Sequence, residues 1–182
     1  MSWWVDDFAA FGKNVAHGGC ACQSVLMARL QAGSALNANN GRMKSVRHVE
    51  VVDRPLDLGA MLGAMRDDHA GAVVTFSGDV RNHDHGKSVQ RLTYEAHPSA
   101  EQVLREVADS IAAEFDLIAL AVAHRVGELA VGDAALIAIV SSAHRDVAFA
   151  ACTALVDRTK ELLPVWKHQV FADGTDEWVN CA

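Results

Sequence analysis

The sequence predicts an α+β domain with a mainly antiparallel sheet and two long helices. Two observations lead there. Strand-like runs are joined by short polar links, as in Leu117–Val126 and Ala134–Ser142 across Gly127–Asp133, and a short link favours an antiparallel pair. Two apolar stripes at helical spacing follow Pro98 and Arg145, so long helices interrupt the hairpins rather than alternating with every strand. The chain also lacks an internal repeat and a glycine-rich nucleotide fingerprint, which argues against a doubly wound sheet.

The elements follow in order. Residues 1–45 read as an N-terminal extension, loosely held, with aromatic Trp3, Trp4, Phe8 and Phe11, a short helix around 23–31, and linker-like Gly18-Gly19 and Asn37–Gly41. Met43 looks like a natural domain start, and residues 46–182 form the domain. His48–Asp53 alternates like a strand, and Pro55 opens a helix from Leu56 to Asp67. Gly71–Gly78 reads as a buried strand, Asp79–Ser88 as a polar loop, and Val89–His97 as a second strand. Pro98 and Ser99 start a helix whose Val103, Leu104, Val107, Ile111 and Phe115 form one stripe. After the Leu117–Val126 and Ala134–Ser142 pair comes a helix from Arg145 to Leu163, ended by Pro164, which cannot continue it. Val165–Phe171 and Asp176–Asn180 are the last strands, joined by Ala172–Thr175.

Composition narrows the class. Hydrophobic residues at 51% and charged residues at 21% fit a globular protein, and a net charge of −7 argues against general nucleic-acid binding. A local basic pocket for a small anion stays compatible with that charge. Of the four cysteines, Cys152 lies in an apolar helical pattern, and Cys20-Ala-Cys22 is too tight for an ordinary disulfide and lacks zinc-finger partners. A reducing, cytoplasmic setting is expected, without a membrane span or signal peptide.

Three places concentrate groups able to do chemistry. Arg81-Asn82-His83 follows a strand, and Arg81 is a planar, always-charged fork for an anion. His83-Asp84-His85 lacks a third ligand, so no metal is expected. Ser141–Arg145 spans a strand-to-helix junction. There Ser142 is read as the cap and the first-turn N–H groups, with His144 and Arg145, favour an anion; the competing reading is that Ser142 only caps and Arg145 pairs with an acid such as Asp146 or one nearby in space. Third, Lys160 and Lys167 flank Pro164. A helical wheel sets Lys160 near Phe149, Thr153, Val156 and Leu163, extending an apolar stripe. A desolvated lysine there would keep more neutral amine for nucleophilic or base work, whereas a solvated surface lysine would do neither. Arg145 and Lys160 lie 15 residues apart on one helix, about 22 Å. Either they serve two sites, or a two-fold dimer brings one chain's Arg145 to the other's Lys160.

Taken together, Gly71–Gly78 with Val80-Arg-Asn-His83, His124-Arg-Val-Gly-Glu-Leu129, Ser142-Ala-His-Arg145, and Lys160 with Pro164-Val-Trp-Lys167 resemble the catalytic large subunit of molybdopterin synthase, the MoaE family. The resemblance runs from about Val46 to Val179 and leaves out residues 1–45. It implies an α/β-hammerhead fold and a homodimer carrying one small sulfur-carrier subunit on each chain, a heterotetramer overall. It implies a sulfurtransferase that converts cyclic pyranopterin monophosphate to molybdopterin. Two sulfurs arrive from the thiocarboxylate on the carrier's C-terminal Gly-Gly tail, and no metal or organic cofactor is bound by this subunit.

The resemblance makes Lys160 the principal catalytic lysine and Lys167 the second, with Arg81 binding substrate. His144 and Arg145 match a pair contributed by the neighbouring subunit, and Asp79, Val80, His168 and Gln169 fall in substrate-contacting stretches. Asp79 departs from the small neutral or hydroxylated residue common in relatives, and as an acid it either weakens anion binding or pairs with Arg81. The short tail after Trp178-Val179 lacks the basic residues with which some relatives continue. Two other functions fit the residues less well. A Schiff-base lyase would need no carrier protein, and a non-catalytic module would only receive a carboxylate tail.

Overall fold

A computed structural model describes residues 45–180, so the extension expected over 1–45, apart from Ser45, and Cys20, Cys22 and Cys181 lie outside the described residues. Nine strands and three helices are described: β1 Val46–Val52, α1 Leu58–Ala64, β2 Ala72–Asp79, β3 His83–Asp84, β4 Lys87–Ala96, α2 Ala100–Glu114, β5 Ala119–Arg125, β6 Gly127–Leu129, β7 Ala134–Ser142, α3 Arg145–Leu162, β8 Val165–Phe171 and β9 Asp176–Asn180. They build two sheets. The first has the order β1-β5-β7-β2; the second runs β3-β4-β8-β9, with β6 paired to β4. All pairings are antiparallel except β1 with β5. This is the α/β-hammerhead form of an α+β fold, mainly antiparallel as expected.

Alternation along β5 explains how the first sheet is covered on both faces. Leu120 and Val122 point to the side packed by α2 and α3, where Leu104, Val107, Ile111, Cys152 and Leu155 complete the main core. Ala119, Ala121 and Ala123 point the other way, and their small size lets Met61 and Met65 of the α1 segment seat against the sheet with Ile137 and Ile139. A third cluster, Val80, Leu92, Leu129 and Ala135, joins residues of the two sheets. Arg158 of α3 pairs with Glu114 and donates to Ser110 Oγ at 3.3 Å, tying α3 to α2.

Several expectations change. Helix α1 is shorter than the Leu56–Asp67 reading; Asp57 caps it by accepting from the Ala60 N–H at 2.9 Å. Strand β2 is an edge strand rather than a buried one, with Val73 47% exposed, because its apolar run is covered on one face only. The link after β5 is more than a turn: Gly127–Leu129 adds a strand to β4, and Gly127 and Gly132 take the positive φ values its bends require.

His124 sits at the end of β5, 6% exposed, edge-on to Tyr94 with ring centroids 5.2 Å apart. Its Nδ1 has no hydrogen-bond partner. Burial disfavours the imidazolium and lowers the pKa from 6.5 to about 4, against a smaller opposing effect from a backbone hydrogen bond at Arg125. The unfolded chain therefore takes up this proton first as pH falls. The stability that neutral His124 contributes is complete above about pH 6.5 and is lost toward pH 4, at roughly 1.4 kcal/mol per pH unit within that window. Thermal unfolding followed between pH 7.5 and 5 should show a midpoint that falls steeply in the parent protein and less steeply in His124→Gln. Parallel curves would exclude His124 as the cause.

Candidate active site

The end of β2 is pinned by the turn before β7. The Val80 N–H donates to the Asp133 carbonyl at 2.9 Å, and the Gly132 N–H donates to the Val80 carbonyl at 2.8 Å. Val80 is thereby buried in the third cluster, and Arg81 follows it. The stretch read as a polar loop is a hairpin. His83 and Asp84 pair with Ser88 and Lys87 across a two-residue turn, His85-Gly86, whose φ values of 48° and 78° match the twist of the flanking strands.

That hairpin turns the Asp84 carboxylate inward, where it is 7% exposed. Gln169 Nε2 donates to its Oδ2 at 2.8 Å, Lys167 Nζ donates to the same oxygen at 3.1 Å, and Arg81 Nη2 reaches Oδ1 at 3.5 Å. Lys167 and Gln169 are two apart on β8 and so share a face. Burial alone would raise the Asp84 pKa. The hydrogen bond from Gln169 and the Lys167 ammonium outweigh it, leaving the carboxyl below its ordinary value of 3.8. One buried anion thus gathers two of the expected cationic site residues.

Other expected residues are not gathered there. His168 faces the opposite side of β8, 2.9 Å from an Asp176 oxygen and stacked on Trp178 at 4.4 Å with planes 8° apart. Asp79 accepts from Ser77 Oγ at 2.6 Å, and Arg81 turns to Asp84, which corrects the suggested Asp79–Arg81 pair. Among the described residues no group of three or more His, Cys, Asp or Glu side chains comes together to hold a metal.

At the start of α3, the N-cap is His144 rather than Ser142. Ser142 is the last residue of β7, as expected, but its Oγ donates to the Asp116 carbonyl at 3.0 Å instead of capping the helix. His144 and Arg145 are exposed beside a depression of about 610 Å³ that Gly71, Ala143 and Asp146 also line. Asp146 lies in the same first turn, and among the described residues no ion pair joins it to Arg145.

Lys160 lies in the last turn of α3, half-buried, where the helix dipole favours a cation. The apolar stripe expected around it is only partly buried. Val156 and Leu163 are in the core, whereas Phe149 is 61% exposed and Thr153 faces solvent. The buried face is instead Ala148, Ala151, Cys152, Leu155, Val156 and Thr159, and Lys160 borders it. Beyond Lys160, the Pro164 carbonyl accepts from the His97 N–H at 3.0 Å, locking the helix–strand corner to the end of β4. Arg145 and Lys160 remain at opposite ends of the helix, about 22 Å apart by its rise. Asp84 was missed because it reads as the middle of a failed His-x-His pair. The signal was the His85-Gly86 turn, which makes it an inward strand residue.

Fold and site define an α/β-hammerhead protein with lysine and arginine side chains set at strand and helix ends, suited to handling anions and carbonyls. A family model described as MoaE protein matches residues 51–162. A molybdopterin synthase catalytic subunit of Thermoplasma volcanium is 34% identical over 132 residues, 72% of this chain and 96% of the relative. The crystal structure of molybdopterin synthase from Staphylococcus aureus superposes with a TM-score of 0.68 at 32% identity, covering 73% of this chain and 97% of the other. A chain from the complex of subunits 1 and 2 of molybdopterin-converting factor of Helicobacter pylori, 17% identical, shares the fold with a TM-score of 0.56, covering 75% of this chain and 89% of the other. The chain belongs to the MoaE family.

A Cβ placed on Gly71 would lie 2.3 Å from the Ala143 carbonyl oxygen, next to His144 and Arg145. Gly71→Ala should push that backbone aside and lower stability by about 1–3 kcal/mol, with a loss of activity from the displaced pair. Gly63 has no atom within 4 Å of such a Cβ, so Gly63→Ala should leave both nearly unchanged. Denaturant midpoints and turnover of the two variants check this contrast.

Proposed function

We propose that this chain is the catalytic large subunit of a molybdopterin synthase, a sulfurtransferase that converts cyclic pyranopterin monophosphate into molybdopterin. The observation that carries the reading is the 34% identity to a molybdopterin synthase catalytic subunit over 96% of that relative and 72% of this chain. The sulfurs come from a small carrier subunit whose C-terminal Gly-Gly tail bears a thiocarboxylate, and no metal or organic cofactor of this subunit takes part. The Helicobacter pylori complex, in which a chain of this fold occurs, supports a heteromeric partnership. A cytoplasmic setting belongs to the same reading; among the described residues no helix is long and apolar enough to cross a membrane.

In this reading Arg81 and Lys167 hold the cyclic phosphate and stabilise negative charge that develops during sulfur transfer. Lys160 acts at the reacting centre. It promotes thiocarboxylate attack by moving a proton or by transient capture of a carbonyl, and borohydride trapping discriminates these. Gln169 steadies Lys167 through the Asp84 carboxylate that both bond, and Asp79 and His168 belong to the substrate-contacting stretches that the family resemblance implies. Val80 contributes through its backbone position, since its side chain is buried.

His144 and Arg145 serve the site of the neighbouring chain. The span of α3 supports this assignment, as does Phe149, one turn from Arg145 and 61% exposed, an apolar side chain free to enter a two-fold contact. The homodimer then carries two sites, each with its own carrier subunit.

Reconstitution with thiocarboxylated carrier and cyclic pyranopterin monophosphate, read by dithiolene product, tests the function. Lys160→Ala should abolish product while folding and carrier binding persist, and near-normal turnover would sink the assignment. A second measurement addresses the shared site. Arg145→Ala and Lys160→Ala chains, each inactive alone, should recover about a quarter of parental activity after subunit exchange, because half the dimers then hold one intact site. No recovery after verified exchange would place Arg145 and Lys160 in separate functions.

A further inference from the structure

The Asp84 carboxylate belongs to none of the groups that would touch substrate, yet it is the most connected polar side chain near them. It is buried, its Oδ2 receives both Lys167 Nζ and Gln169 Nε2, and its Oδ1 faces Arg81. Its neighbours differ in how firmly they are held. The Lys167 side chain is 16% exposed and sits at 3.1 Å, whereas the Arg81 side chain is 42% exposed and stretches to 3.5 Å. An incoming anion can therefore draw Arg81 away at little cost while Lys167 stays fixed.

We propose that Asp84 is a positioning residue for the sulfur-transfer site. It aims Lys167 from beneath and leaves the exposed Arg81 to swing onto the anionic substrate. The inference rests on the reading of Lys167 as an active-site lysine. Physically, the carboxylate solves a problem of like charges. Two cations on neighbouring elements repel each other in a partly desolvated pocket, and one buried anion between them relieves that repulsion. Gln169 completes the arrangement by satisfying the same carboxylate, and it takes a second acceptor, Glu177, at 3.5 Å.

Removing the charge separates this role from a merely structural one. Asp84→Asn keeps the side-chain shape but leaves Lys167 without its anchor and makes the pocket more positive by one charge. The single-turnover rate constant for dithiolene formation should fall on the order of 10- to 100-fold, as for a misplaced catalytic group. The KM for the anionic substrate should stay level or fall, because the added positive charge attracts it. Asp84→Glu keeps the carboxylate, one methylene further along, and should recover most of the lost rate, a rescue that the neutral Asp84→Asn of the same shape does not give. If Asp84→Asn does not fold, Asp84→Glu is assayed alone and must be active.

A rate constant within about twofold of the parent in Asp84→Asn, a loss confined to KM, or an Asp84→Glu variant no faster than Asp84→Asn would each overturn the proposal. Lys167→Ala in the same assay separates the two levels of the argument. If it is inactive while Asp84→Asn is unimpaired, only the role of Asp84 falls; if it retains parental activity, the reading of Lys167 falls as well.

Discussion

Helix α3 lies against the first sheet through a face of small and medium side chains, Ala148, Ala151, Cys152 and Leu155, and this packing sets where everything else goes. Alanines at the contact let the helix approach β7 and β2 closely and hold it at a fixed angle to the strands. Its 18 residues then carry His144 and Arg145 to one end and Lys160 to the other, about 27 Å of helix in all. Leu163, 1% exposed, and the Pro164 carbonyl bonded to His97 fix the corner from which β8 departs. A slip of α3 along the sheet would move Lys160 and Lys167 together, because the same corner connects them.

The second sheet sets a buried anion between cations from both sheets, Arg81 just after β2 and Lys167 on β8. Asp84 is buried and ionised below its ordinary pKa because the hydrogen bond from Gln169 and the charge of Lys167 outweigh desolvation. A buried carboxylate lacking those partners would cost several kcal/mol, so the β3–β4 hairpin and β8 depend on each other for a reason beyond their backbone ladder. That dependence is also what gives Lys167 one orientation. A long flexible amine on a strand surface would otherwise sample many rotamers.

The same strand shows how far pleating sorts neighbours in sequence into different roles. Lys167 and Gln169 face the Asp84 carboxylate, while His168 between them stacks on Trp178 and bonds Asp176 on the other side. Lys167, His168 and Gln169 all belong to the stretch that the family resemblance assigns to the site, yet the period of two divides it. His144 and Arg145 show the complementary case: exposed and adjacent in sequence, they lie at a helix start that no other expected site residue of the same chain reaches.

Sequence by itself determined the α+β class, the β5–β7 pair, both long helices, the Pro164 corner and the positions of Arg81, Lys160 and Lys167 at element ends. Those follow from periodicity and from proline chemistry, which act over a few residues. It also determined that Arg145 and Lys160 cannot meet within one chain, since helix rise is a local property. Only tertiary structure decided that β1 runs parallel to β5, that β2 is an exposed edge, that His144 rather than Ser142 caps α3, and that Asp84 gathers Lys167, Gln169 and Arg81. The physical reason is common to all four. Each depends on contacts between residues distant in sequence: the Ser142 hydroxyl is taken by the Asp116 carbonyl, 26 positions away, and the Asp84 cluster spans 85 positions to Gln169. Local pattern placed the cations; a long-range contact supplied the anion that organises them.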